Sequence, residues 1–134
     1  LNGTLQVNKQ IPEGVRERLA KLNELGFKLV FFSGDARGNA VDIAADLGME
    51  FVKTVNGAEK EAAFLKYDSE TTAAVGNARI DIGKFKHAKL SIATLQAEGI
   101  HTGILQYVDV VVPSIIDALD FFLDEGTFKG TMRT

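Results

Sequence analysis

Short apolar runs of strand character alternate along this chain with stretches of helical periodicity, and small, turn-prone residues mark most of the junctions. That rhythm belongs to βαβ units and a parallel sheet. Pro12 to Leu25 sets Val15, Leu19, Leu22 and Leu25 at helical spacing, with Pro12 in the first turn and Gly26 as a stop. Lys28 to Ser33 is short, apolar and followed by a Ser-Gly-Asp turn, as a buried strand would be. A helix is expected from Gly38 to Leu47, closed by Gly48, with Val41, Ala44, Ala45 and Leu47 as its apolar stripe. Met49 to Val52 then reads as a strand, Ala58 to Tyr67 as a helix and Thr71 to Val75 as a strand. A helix from Ile80 to Ala88, strands Lys89 to Ala93 and Val108 to Val112, and a helix from Ser114 to Leu123 complete the order. Ser114 with Asp117 three positions on has the pattern of an N-cap followed by an acidic first turn.

No linker, repeat or low-complexity segment divides the 134 residues, so one doubly wound α/β domain over 1–134 is expected. The absence of cysteine excludes thiol catalysis, disulfides and thiolate-bound zinc. Fifteen basic against eighteen acidic residues give a net charge of −3, which provides no general attraction to nucleic acid or an acidic membrane. No apolar run approaches the roughly 20 residues that span a bilayer, and the first residues do not have the layout of a signal peptide. The expected location is therefore the cytoplasm. The chain opens at Leu1 without an initiator Met, and the expectation is that something preceding it has been cut away.

Ligands of doubly wound sheets bind in the crevice at the carboxyl ends of the strands. The polar, glycine-bearing tips that would gather there are Asn2-Gly3-Thr4, Ser33-Gly34-Asp35 and Gly76 to Asp81, with Lys60 on the helix between the last two. Any one of these alone is adequately explained as a strand-to-helix turn, and Lys60, between Glu59 and Glu61, as a solvated lysine. Their occurrence together is what calls for a functional explanation. His87 and His101 have no carboxylate or second ligand at metal spacing, so both read as packed or solvated side chains. The nine phenylalanines read as packing, with Phe121-Phe122 as a candidate oligomer surface.

In this order the segments resemble the motifs of the haloacid dehalogenase (HAD) phosphohydrolase superfamily, most closely its soluble P-type-ATPase-like members. Leu1-Asn2-Gly3-Thr4-Leu5 matches all of the first motif, Asp-x-(Asp/Thr/Asn)-Gly-Thr-Leu, except its leading Asp. Ser33-Gly34-Asp35 is similar to the Thr-Gly-Asp that ends the second-motif strand, and Ile43-Ala44-Ala45-Asp46-Leu47-Gly48 follows it as in the family. Lys60 stands where the third-motif lysine would be. Gly76-Asn77-Ala78-Arg79-Ile80-Asp81 is an imperfect match to Gly-Asp-Gly-x-Asn-Asp.

The resemblance implies a Rossmann-like three-layer α/β HAD fold with a mostly parallel central sheet. It also implies a Mg²⁺-dependent phosphohydrolase, phosphatase- or ATPase-like, acting through an aspartyl-phosphate. The nucleophilic Asp would be the residue immediately before Leu1. Either the sequence is trimmed there, which is the favoured expectation, or the chain cannot react covalently. Lys60 and Ser33 would be catalytic, and Ser33, Gly34, Lys60 and Gly3 would bind phosphate, with the Lys60 charge stabilising acyl-phosphate and transition state. Asn2 through its backbone carbonyl, Asn77 and Asp81 would hold Mg²⁺. Asn2 stands where family phosphatases use an acid-base Asp, and an amide cannot move a proton at neutral pH, so dephosphorylation is expected to be slow. Asn77 in place of an Asp removes a negative charge from a hard-cation site, and Ile80 in place of an Asn removes a hydrogen-bonding group. Arg79 adds positive charge nearby but reads more simply as a surface residue.

The intervals between Leu5 and Ser33 and between Ser33 and Lys60 leave no room for a cap domain. Resemblance to capless members then implies an open site, covered by a second copy of the chain or by a macromolecular substrate. The expected partners are a phosphorylated small molecule or protein, without nucleic acid or membrane. Asn2, Asn77 and Ile80 also support an alternative, a catalytically weakened HAD scaffold that binds phosphate or a protein without turnover. A flavodoxin-like receiver domain is a weaker alternative, because it requires an acidic cluster early in the chain and a lysine ending a late strand.

Overall fold

Parallel strands whose side chains point alternately to opposite faces must bury both faces, and this chain does so with two separate apolar cores. The computed structural model describes residues 4–7, 9–34, 38–96 and 98–134. In chain order its elements are α1 (Val15–Glu24), β1 (Val30–Ser33), α2 (Ala40–Asp46), β2 (Glu50–Lys53), α3 (Gly57–Phe64) and β3 (Ala73–Gly76). A 3₁₀ turn (Arg79–Asp81) leads into α4 (Ile82–His87), followed by β4 (Leu90–Thr94), a second 3₁₀ turn (Thr102–Ile104), β5 (Val110–Val112), α5 (Ile115–Leu123) and α6 (Glu125–Met132).

Two ladders are formed among the described residues. β1 pairs with β2 in parallel, Phe31 opposite Phe51, and β3, β4 and β5 pair in parallel in that order, with Val75 opposite Ile92 and Ala93 opposite Val111. Both ladders contribute to both cores. Phe31 and Ile92 face a core completed by Leu19 of α1, Ala44 of α2 and Ala118 of α5. Their chain neighbours Phe32 and Ala93 face the opposite core with Phe64 of α3 and Phe85 of α4. The result is three layers, with α1, α2 and α5 on one side of the strands and α3 and α4 on the other. This is the Rossmann-like arrangement that the alternation of patterns predicts, and no inserted unit interrupts it among the described residues.

The helix boundaries follow local chemistry. α1 begins at Val15, three residues after Pro12, which supplies a carbonyl to the Val15 N–H from a preceding turn rather than from inside the helix. Its end is a Schellman motif: Phe27 N–H bonds Leu22 C=O, Gly26 N–H bonds Asn23 C=O, and Gly26 takes φ +93°. Gly48 closes α2 in the same way, through Met49 to Ala44 and Gly48 to Ala45, at φ +69°. Ser114 caps α5 as expected, its hydroxyl accepting the Asp117 N–H.

Several details differ from the sequence reading. Leu25 is 62% exposed, because the chain turns away in the Schellman motif before that position can face inward. The stripe of α2 is Ala40, Ala44 and Leu47, while Val41 and Ala45 point outward. The expected helix from Ile80 to Ala88 is a 3₁₀ turn followed by a six-residue helix. The break comes where Asp81 turns its side chain back onto the preceding backbone. α6 has no counterpart in the expectations; Asp124 starts it by accepting the Thr127 N–H. Phe121 is buried and packs edge-on against Phe122 and Phe128, which makes it core rather than free oligomer surface.

Candidate functional site

Within each ladder the strands are parallel, so Ser33 and Lys53 end together, as do Gly76, Thr94 and Val112, and the start of α3 after β2 meets the turn after β3, Gly57 against Ile80 and Lys60 against Asp81, which joins the two edges. A lattice of hydrogen bonds ties several segments together along the joined edge. Thr54 N–H, just past β2, donates to Ser33 C=O at 3.0 Å. A Cβ on Gly34 would lie 3.6 Å from the Thr54 carbonyl oxygen, so the two strand ends are in direct contact. Asn56 then caps α3 by accepting the Glu59 N–H at 2.9 Å, which fixes the rotation of the helix that carries Lys60. Ser33 and Lys60 are thus joined through one short connection, Thr54 to Asn56.

Lys60 is buried, and its amino group donates to Asp81 Oδ1 at 3.0 Å. Asp81 is the hub of the arrangement. Its Oδ2 accepts the backbone N–H groups of Asn77 at 3.0 Å and Ala78 at 3.1 Å, and the Lys84 amino group lies 3.3 Å from Oδ1. Burial pushes the Asp81 carboxyl up, but the nearby charges of Lys84 and then Lys60, with the Ala78 N–H, more than reverse this and hold it well below the usual carboxylate range. Burial pulls the Lys84 amino group down, and Asp81 opposes that pull in part. Gly76 is required here by contact alone: a Cβ would stand 2.4 Å from Asp81 Oδ2.

Thr4, from the first motif, reaches the same place. Its hydroxyl donates to Asn77 Oδ1 at 3.3 Å, and its carbonyl accepts the side-chain amide of Gln96, whose Oε1 accepts the Ile115 N–H at the start of α5. The Asn77 amide nitrogen donates to Gly99 C=O at 3.1 Å and approaches Glu98 Oε2 at 3.4 Å.

Of the residues expected at the site, Lys60, Asn77 and Asp81 are brought together, and Ser33 and Gly34 end the neighbouring strand pair. Asn2, Gly3 and Asp35 lie outside the described residues. Ile80 lies against Gly57 at the start of α3, where its size serves packing, and Arg79 is exposed. His87 has a carboxylate partner that its spacing does not reveal, Glu61 of α3 at 3.0 Å. The sequence reading missed Lys84, Gln96, Glu98 and Thr54, whose buried hydroxyl has no hydrogen-bond partner among the described residues. Lys84 could have been found from its position three residues after Asp81, the spacing of helical neighbours. Gln96 and Glu98 carry no local signal.

The donors among the described residues do not by themselves fit Mg²⁺; Asn2, the other expected ligand, lies outside them. A magnesium ion takes oxygen ligands, usually including one or two carboxylates. Among the described residues no group of three or more acidic, His or Cys side chains could hold a metal, both oxygens of Asp81 are engaged, and Asn77 is neutral. Also among the described residues, no helix is long and apolar enough to cross a membrane.

Comparison with known proteins places this architecture. No family model matches the chain. The ATP-binding subunit of a potassium-transporting ATPase from Dechloromonas aromatica is 30% identical over 94 residues, which are 68% of this chain and 14% of that protein. The corresponding subunit from Ralstonia nicotianae is 38% identical over 48 residues, 36% of this chain and 6% of that protein. The chain therefore spans a small part of the curated relatives it matches. Among solved structures, the cobalt-bound deoxy-D-mannose-octulosonate 8-phosphate phosphatase of Haemophilus influenzae superposes with a TM-score of 0.76 at 18% identity, covering 100% of this chain and 90% of that one. A Streptomyces avermitilis protein described as a HAD family hydrolase gives 0.73 at 13% identity, covering 95% and 83%. A phosphoserine phosphatase in its apo form gives 0.63 at 22% identity, covering 86% and 67%.

Proposed function

We propose that this chain, which has the fold of the HAD family hydrolases, is the phosphoryl-binding core of a phosphohydrolase that works through an acyl-phosphate. The observation that carries the proposal is the buried Lys60 amino group held at the strand edge by Asp81, one short connection away from Ser33 and Gly34. A lysine buried to this degree needs a partner and a reason. Asp81 supplies the partner, and an oxyanion at the strand ends supplies the reason.

In this reading the substrate is a phosphate monoester or anhydride. A carboxylate, placed by the motif likeness immediately before Leu1, attacks phosphorus while the bond to the leaving oxygen breaks. The Ser33 hydroxyl and Gly34 N–H take phosphoryl oxygens, and Lys60 balances the charge that develops on them. Water then attacks the phosphorus of the acyl-phosphate, releasing phosphate and restoring the carboxylate. Asn2 can neither protonate the leaving group nor activate the water, so the second step is slow. The likeness to potassium-transporting ATPase subunits favours the P-type-like branch of the fold, in which a persistent acyl-phosphate is useful.

The test is release of para-nitrophenol from its phosphate ester by the full-length protein and by Lys60→Ala. Loss of an electrostatic contact of this kind costs roughly 10²–10³ in rate, so turnover in the variant is expected to fall to background. Equal rates in both proteins would overturn the proposal.

A further inference from the structure

A carboxylate that holds a divalent cation, directly or through a bound water, must keep a lone pair open toward it. An ionised carboxylate has about four lone-pair sites in all. Asp81 uses the equivalent of four: Lys60 and Lys84 approach Oδ1 at 3.0 and 3.3 Å, and the Asn77 and Ala78 N–H groups approach Oδ2 at 3.0 and 3.1 Å. None of the four partners is easily displaced. Two are backbone amides of the turn after β3. Lys60 comes from the end of the first turn of a capped helix. The Lys84 amino group is also anchored from behind, donating to Val75 C=O at 2.7 Å, and its side chain is only 12% exposed. The carboxylate cannot retreat toward the strand, because Gly76 already meets it there without a Cβ. The neighbouring Asn77 brings no charge, and the Thr4 hydroxyl takes one of the two lone pairs of its Oδ1.

We infer that the Lys84 amino group occupies the place from which Asp81 would hold a divalent cation, so that this site receives the phosphate oxyanion on Lys60 and the strand-end N–H groups without a divalent metal. Lys84 is a positioning residue in this scheme: it touches Asp81 and the β3 backbone, and acts on the ligand only through them. The inference deepens the phosphoryl-binding reading and rests on it.

Two measurements on the full-length protein test it. The first is Mn²⁺ binding, followed through the electron paramagnetic resonance signal of the free aquo ion, in the natural protein and in Lys84→Met, which keeps the apolar stem and removes the amino group. The natural protein is expected to take up no stoichiometric Mn²⁺, and Lys84→Met to bind at least about tenfold more tightly, the scale on which neighbours of a ligand tune metal affinity. Stoichiometric binding by the natural protein overturns the inference, as does a folded Lys84→Met no tighter than the natural protein. The second measurement does not depend on the variant folding. It is calorimetric titration of the natural protein with inorganic phosphate, once in EDTA and once with Mg²⁺. Affinities within roughly twofold support the inference, and tightening by Mg²⁺ of about tenfold or more overturns it. Phosphate bound in EDTA without any ester hydrolysis defeats the phosphohydrolase reading and leaves this inference standing. No phosphate binding in either buffer overturns both.

Discussion

Gly76→Ala puts the smallest possible side chain where the structure has no space for one. The new Cβ would lie 2.4 Å from Asp81 Oδ2 and 2.6 Å from its Cγ, and ordinary contact begins at 3.4 Å, so the carboxylate must retreat by about 1 Å. A retreat of that size stretches its bonds from the Asn77 and Ala78 N–H groups, now 3.0 and 3.1 Å, beyond hydrogen-bonding range. Hydrogen bonds to a charged group contribute roughly 1.5–3 kcal/mol each. Allowing for relaxation, the substitution is expected to destabilise the fold by about 3–5 kcal/mol, a large share of the 5–15 kcal/mol of an ordinary domain. Urea titration followed by circular dichroism at 222 nm measures it, with a fall in Tm of roughly 10–15 °C as the thermal counterpart. The mechanism is tested by a double-mutant cycle. In an Asp81→Ala background the carboxylate contacts at 2.4 and 2.6 Å are gone and only the residue-81 Cβ, at 3.1 Å, stays close, so Gly76→Ala should then cost less than about 1 kcal/mol. An equal cost in both backgrounds, or a cost below about 1 kcal/mol in the natural protein, refutes the claim that the Asp81 carboxylate is pinned against the strand.

Asp81 also sets an acid limit. Its folded-state carboxyl lies below the unfolded value of about 3.9, so the stability it contributes is complete above that pH and drains away as pH falls below it. The urea midpoints of the natural protein and Asp81→Asn should converge on acidification, and a gap that widens toward low pH refutes the assignment. Leu19→Ala, at a position 2% exposed, should cost about 2–5 kcal/mol in the same titration, while Leu25→Ala, 62% exposed, should cost less than about 0.5. Ser114→Ala removes the cap of α5 and should cost about 0.5–2 kcal/mol, with Ser114→Gly recovering most of the loss.

The layer order was readable because its signals are local. Gly26 and Gly48 end their helices where a left-handed residue is needed, and each apolar strand run is too short to be anything else in that position. The stripe of α2 was misread because Val41 is more apolar than Ala40, whereas burial depends on which face the helix turns to β2 and the core. At the site, Lys60, Asn77 and Asp81 were visible as residue types at ordered spacings. The state of Asp81 was not, because it depends on a 3₁₀ turn that swings the carboxylate back over Gly76 and on a lysine one turn later. Glu98 and Gln96 reach the site from a loop after β4, and nothing in their surroundings in the chain announces it.

The attachment of Thr4 has a bearing on how the molecule comes to be folded. Thr4 is bonded to Asn77, 73 positions away, and to Gln96, 92 positions away, so these contacts close some of the longest loops in the chain. Contacts of such separation incur their loop-closure entropy before they return any energy, whereas β1 with β2, and β3 with β4, can pair over much shorter spans. In a refolding experiment the paired strands should therefore gain amide protection first, and the ability to capture an anion should appear only in the final phase, when Thr4 docks onto Asn77 and Gln96.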